Sequence, residues 1–183
     1  MPARCRGERR RNSPALGGGG CQGGTVYQAF LSAEKYHRWH SPLSGTVRKL
    51  EQVPGTYYAE AASEGFDPAG PNNSQGYIAH VATRALIFIE ADNPDIGLMG
   101  MVTIGMAEVS SCVLRKANGD WLKEGDRVEK GEQIGYFQFG GSSHCLVFQK
   151  DVISEFAAQA IPQGAHGSQS ANVPVNSFLA RSR

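Results

Sequence analysis

The apolar positions of this chain read mostly as strands. Thr46 to Leu50 alternates apolar and polar in the manner of a half-buried strand. Ala85-Leu86-Ile87-Phe88-Ile89 is an unbroken apolar run of the length of a fully buried strand. Val26 to Leu31 is a further short, largely apolar stretch, and Thr56-Tyr57-Tyr58-Ala59 is β-prone. Leu98 to Val109 is rich in β-branched residues and methionine, with Gly100 and Gly105 as expected bends. Asn118-Gly119-Asp120 is a strong turn signal. The segment Gly65 to Gly76, carrying Pro68, Pro71, Asn72 and Asn73, predicts a loop, and a helix is predicted only near Ile153 to Gln159. The expected fold is mainly β, with few helices.

Composition divides the chain in two. Residues 1–24 hold Arg4, Arg6, Arg9, Arg10 and Arg11, then Pro14 and the run Gly17 to Gly20, and predict a disordered or atypical leader. No apolar stretch follows the basic residues, as a secretory signal would require. Residues 25–183 predict one folded domain, long enough to bury a core. The formal net charge of +1 gives no overall field that would gather nucleic acid or an acidic membrane surface. Cys5, Cys21, Cys112 and Cys145 form no Cys-x-x-Cys pair, which argues against a zinc or redox motif and for a reducing compartment. The longest apolar candidate, Ile96 to Val109, is shorter than the roughly 20 residues a membrane helix needs and is broken by Gly97, Gly100 and Gly105. A cytoplasmic or peripheral-membrane location without a transmembrane segment is expected.

Two short segments carry chemistry: Tyr36-His37-Arg38-Trp39-His40-Ser41-Pro42, and Phe139-Gly140-Gly141-Ser142-Ser143-His144-Cys145-Leu146-Val147-Phe148. Taken separately, each has an ordinary reading. Gly-Gly-Ser-Ser between apolar strands is a turn, and two histidines three apart serve equally as a metal pair, a surface feature or hydrogen-bonded core residues. His80, His144 and His166 complete no metal-ligand spacing, so no metal is expected. Between the two segments, Leu122 to Gly135 resembles the glycine-turn hairpin of biotinyl and lipoyl carrier domains, a flattened β-barrel sandwich. Neither Lys123 nor Lys130 sits at a modification hairpin, so that likeness is architectural.

Together, in order and spacing, the Tyr-His-Arg-Trp-His-Ser-Pro segment, Gly45-Thr46-Val47, the Lys-Gly hairpin and the Gly-Gly-Ser-Ser junction resemble the phosphatidylserine decarboxylases. The likeness runs from about Gly24 to the end. It is nearest to the soluble branch that includes fungal decarboxylases of aromatic amino acids. Pro54-Gly55-Thr56-Tyr57-Tyr58 and Pro174-Val175-Asn176-Ser177 add to it.

The resemblance implies a chain that cuts itself between Gly141 and Ser142 and turns Ser142 into a pyruvoyl cofactor. The Ser142 hydroxyl would attack the Gly141 carbonyl, with Gly140 and Gly141 free of Cβ obstruction. His40, by motif position, is the expected base, and His37 the residue that assists decarboxylation or reprotonates the product carbon; a structural role in the turn is the alternative for His37. The ketone would form a Schiff base with the substrate amine and accept the electrons released with CO2. Ser143 stands where the family often has threonine and, with His144 and Gly140, is expected to support the junction. Tyr136, Phe139 and Phe148 are weak candidates for a substrate pocket. Cys145 reads as a small buried residue.

The implied substrate is phosphatidylserine or a related amino acid. The implied protein partners are the chain's own α and β fragments, and a homo-oligomer is compatible. A catalytically silent binding or interaction protein is the alternative. One departure matters. The family's cleavage triad includes an aspartate upstream, in a Pro-x-Asp-Gly setting, and no aspartate precedes Tyr36 here. An N-terminal part of the family domain is therefore expected to be missing.

Overall fold

In a computed structural model, the described residues are 23–65, 70–107, 111–138, 140–164 and 169–183. The strands are β1 (Thr25–Leu31), β2 (Arg38–His40), β3 (Gly45–Val53), β4 (Arg84–Ala91), β5 (Leu98–Ala107), β6 (Ser111–Val113), β7 (Arg127–Val128), β8 (Gln133–Gln138), β9 (Gly141–Phe148), β10 (Ile153–Phe156) and β11 (Ala180–Ser182). Two short helices, α1 (Gly70–Asn73) and α2 (Gln75–Val81), lie between β3 and β4. The molecule is mainly β with few helices, and the described strands form open antiparallel sheets with no closed barrel. All but two of the residues in the expected leader, 1–24, lie outside the described residues.

The large sheet has the order β1-β9-β5-β4-β3-β7, and a smaller one the order β2-β8-β6. Side chains alternate across a strand, so each strand of the large sheet serves two environments. One face meets the small sheet. There Val47, Ile87, Ile89, Met99, Leu146 and Phe148 pack with Trp39, Cys112, Ile134 and Phe137 in the main core. The other face packs Ile104, Met106 and Cys145 with Ile78 of α2 and with Ala82 in a second, smaller cluster. Fully burying an isoleucine such as Ile87 or Ile134 stabilises the fold by about 1.5–3 kcal/mol.

The runs at 46–50, 85–89 and from Leu98 are strands as expected, and the β5–β9 register shifts between Gly105 and Ala107, next to one of the two expected bends. Gly100, by contrast, keeps a regular register opposite Phe88 and Val147. Thr56 makes only an isolated bridge to Ala82. The helix expected over Ile153 to Gln159 is corrected. Ile153–Phe156 is a strand held by β11, and only Ala158–Ala160 makes a single 3-10 turn. The loop expected over Gly65 to Gly76 is corrected too, since α1 and the start of α2 occupy its described part.

Gly135 shows how closely the small sheet is packed. A Cβ there would lie 2.3 Å from Cε3 of Trp39 and 2.6 Å from the Val113 carbonyl oxygen. Gly135→Ala is expected to destabilise the protein by about 1–3 kcal/mol, since neither the backbone of β6 nor a core tryptophan can yield cheaply. The midpoint of urea unfolding measures it.

Candidate active site

Gly140 takes a φ of 84°, a conformation that costs a side-chain-bearing residue dearly, and the chain then enters β9 at Gly141. Ser142 is fully buried and pairs with Leu31 of β1 and Gly105 of β5. The alternation of β9 settles which side chains share its environment. Ser142, His144, Leu146 and Phe148 face the main core, while Ser143 and Cys145 face the helices. On that face Ser142 stands between Leu31 and Gly105, and His144 between Ala29 and Thr103.

His37 immediately precedes β2 and is tied to β8 by the Phe137 amide, which donates to the His37 carbonyl at 2.9 Å. Its ring meets Phe137 edge-on, with centroids 6.2 Å apart. Nε2 lies 3.1 Å from both the Ser32 and Ala33 carbonyl oxygens. Carbonyls only accept, so Nε2 carries the proton; in the neutral ring Nδ1 is then left as an acceptor. Nδ1 is 3.2 Å from Ser142 Oγ. The arrangement presents an unprotonated nitrogen to a buried hydroxyl.

His40 is engaged elsewhere. Its Nδ1 lies 2.7 Å from the Gly131 carbonyl oxygen and therefore donates; its Nε2 accepts from the Tyr36 hydroxyl, also at 2.7 Å. The Tyr36 and His40 rings stack. Both nitrogens of His40 are thus committed to the turn, and the structure brings His37, not His40, to Ser142.

The remaining expected site residues divide. His144 is half-buried on the Ser142 face, and desolvation lowers its pKa to about 4, leaving it neutral at neutral pH. Ser143 is fully buried on the opposite face. Tyr136 turns away from Phe137 and lies under the Arg38 guanidinium, whose Cζ is 5.6 Å from the Tyr136 ring centroid. Phe148 stands six residues from Ser142 along β9, roughly 20 Å away, in the core beside Thr25. Neither is brought to the junction, and Phe139 lies outside the described residues. Phe137 is the aromatic ring that reaches His37, one position from the expected Tyr136. Cys145 is packed among apolar groups that push its thiol up to about 11, a setting for an inert side chain.

Among the described residues no group of histidine, cysteine and acidic side chains could hold a metal. Asp92, one of the aspartates downstream of the histidine motif, is held by Arg127 through two hydrogen bonds of 2.7 and 2.5 Å, which lower its pKa. Asp95 donates its amide to Asn93 in a local turn. Asp67 lies outside the described residues. Among the described residues, the groups that orient His37 are backbone carbonyls rather than a carboxylate.

Residues 9–168 match the phosphatidylserine decarboxylase family. The chain belongs to that family. It is 45% identical to Decarboxylase iboD of Amanita muscaria over 87% of its own length and 45% of that protein. It is 40% identical to an L-tryptophan decarboxylase of Psilocybe cubensis over 77% of its length and 33% of that protein. Identity to a phosphatidylserine decarboxylase proenzyme of Shewanella sediminis is 29%, covering 73% of this chain and 48% of the proenzyme. The chain thus spans less than half the length of these relatives, all of which are decarboxylases by name.

Proposed function

We propose that this chain carries the core of a pyruvoyl-dependent decarboxylase of soluble amino acids, one that makes its cofactor by cutting between Gly141 and Ser142. The observation that carries this reading is the 3.2 Å approach of Ser142 Oγ to the acceptor nitrogen of His37, directly after the left-handed Gly140. In the cut, His37 Nδ1 takes the Ser142 hydroxyl proton while Oγ bonds to the Gly141 carbonyl carbon. The bond from that carbon to the Ser142 nitrogen breaks, the nitrogen is protonated, and an ester replaces the amide. β-Elimination then releases the Gly141 carboxylate, and hydrolysis of the dehydroalanine frees ammonia and leaves the pyruvoyl group.

The residues present fit that group. A serine follows glycine at the mouth of a strand, and Gly105, without a side chain, stands beside Ser142 on the face that it shares with His144. When bound, the group supplies an electron sink for the bond to the departing carboxylate. His37 remains at the reacting position as the group able to return a proton to the product carbon. His144, uncharged, would stand on the same face without adding a cation that would hold the substrate carboxylate in its ground state.

The preference for a soluble amino acid rests on the relatives named L-tryptophan decarboxylase. No described helix is long and apolar enough to cross a membrane. The deciding assay measures CO2 release by purified, cut protein from free tryptophan and from phosphatidylserine in mixed micelles. Release from tryptophan at least about tenfold faster per pyruvoyl is expected, which is about 1.4 kcal/mol of discrimination in the barrier. Release from phosphatidylserine alone would move the substrate to the lipid, and a chain that never cuts would leave a binding protein.

A further inference from the structure

On the face of β9 turned away from His37, Ser143 is fully buried and its one hydroxyl hydrogen goes to the Ala29 carbonyl, 3.2 Å away. Its oxygen is left to accept, and Gln28 Nε2 donates to it at 3.1 Å. The same amide nitrogen lies 3.2 Å from Gln75 Oε1 and 3.3 Å from the Gln75 carbonyl oxygen. Three acceptors therefore surround Gln28 Nε2, and this fixes which end of the amide points inward. Turned over, its oxygen would face two other carbonyl oxygens with no hydrogen between them. Gln75, the first residue of α2, uses its own Nε2 on Met106 Sδ at 3.1 Å and on the Pro71 carbonyl at 3.5 Å.

We propose that Gln28 is a positioning residue for self-cleavage: through Ser143 it fixes the chain on the far side of the scissile bond, and Gln75 anchors that grip to α2. The inference rests on the self-cleavage reading. For Ser142 Oγ to reach the Gly141 carbonyl, the peptide planes on either side of Ser142 must hold still while its side chain turns. On the near side, β9 is held by β5, where the register shifts between Gly105 and Ala107. On the far side, Ser143 is paired with Phe30 of β1 and Ile104 of β5, and its side-chain contacts add a second hold to that pairing. They arrive from β1, an edge strand of the large sheet that among the described strands pairs with β9 alone. A misplacement of about 1 Å in such a geometry costs on the order of 10²-fold in rate.

The test is a double-mutant cycle on the rate of the cut, read by denaturing electrophoresis of the full chain sampled over time after synthesis. Gln28→Leu and Ser143→Ala should each slow the cut by about tenfold or more. The double variant should be no slower than the slower single one, because Gln28 acts only through the Ser143 hydroxyl. Ser143→Thr, which keeps the hydroxyl, should recover most of the rate. Should Gln28→Leu fail to fold, Gln28→Glu, which keeps the length but has no amide hydrogens, carries the same cycle. Additive losses, or Gln28→Leu cutting at the parent rate, would overturn the role of Gln28 while leaving self-cleavage intact. A parent chain that never cuts overturns both.

Discussion

Ser142→Ala should leave one uncut chain of 19.6 kDa, where the parent, on the proposed reading, should give a fragment ending at Gly141 and another beginning at position 142. Removing a nucleophile from an assembled site costs on the order of 10⁶-fold, so no cut should be seen on any practical timescale. The adjacent Ser143 cannot take over. Its hydroxyl points to the opposite face of β9, donates to Ala29 and accepts from Gln28. The substitution should cost little stability, about 1 kcal/mol for the lost hydrogen bond to His37, because alanine is accommodated in a buried strand. Intact-mass analysis decides the matter. A fragment starting with a pyruvoyl-blocked residue in the parent, and its absence in Ser142→Ala, is the expected pair of results. Cleavage surviving in the variant would remove Ser142 from the chemistry.

Ser142 stood out in the sequence only through the order and spacing of its segment and the histidine segment; locally, two glycines and two serines before an apolar run read as a turn, whereas Gly141–Phe148 is a strand. β3, β4 and β5 were legible from alternation over 46–50, an unbroken apolar run over 85–89 and β-branched residues from Leu98 onward. α2 was not. It buries one large side chain, Ile78, against Ile104, Met106 and Cys145, and presents no apolar period; its existence depends on the sheet beneath it. The reverse error at Ile153 has the same origin. A locally helix-compatible segment is drawn into a ladder with β11, far along the chain.

Within the site, the residues at 36–42 were visible as a motif, but the partner of Ser142 was not. The β2–β8 register shifts between Trp39 and His40, and such an irregularity determines where each ring points. Tyr136 and Phe137 stand on opposite faces of β8, and a one-residue change of register would exchange them. Gln28 and Gln75 are polar residues 47 positions apart with no pattern between them, and only the paired sheet and the helix above it bring them to Ser143.

His37→Gln should slow the cut by about 10²–10⁴-fold, the usual contribution of a positioned general base, whereas His40→Gln should change it by less than about tenfold. The contrast follows from the two tautomers. His37 gives its proton to the carbonyls of Ser32 and Ala33 and turns a free acceptor to Ser142, while His40 spends both nitrogens on Gly131 and Tyr36. His40→Gln should instead loosen the turn, at a cost of about 1 kcal/mol in unfolding free energy for each hydrogen bond not replaced. The carbonyls fix the orientation of His37 but, being neutral, stabilise its protonated form less than a carboxylate does. Replacing the acid of a comparable triad by a neutral group costs about 10⁴-fold. The parent should therefore cut slowly, so the comparison needs a time course rather than one sample. Nitrogen-15 spectra of uncut Ser142→Ala protein give an independent check: His37 should show a pyridine-type Nδ1 and a pyrrole-type Nε2, and His40 the reverse. A cut lost in His40→Gln and kept in His37→Gln would assign the base to position 40 and require the turn from Tyr36 to Pro42 to rearrange before the reaction.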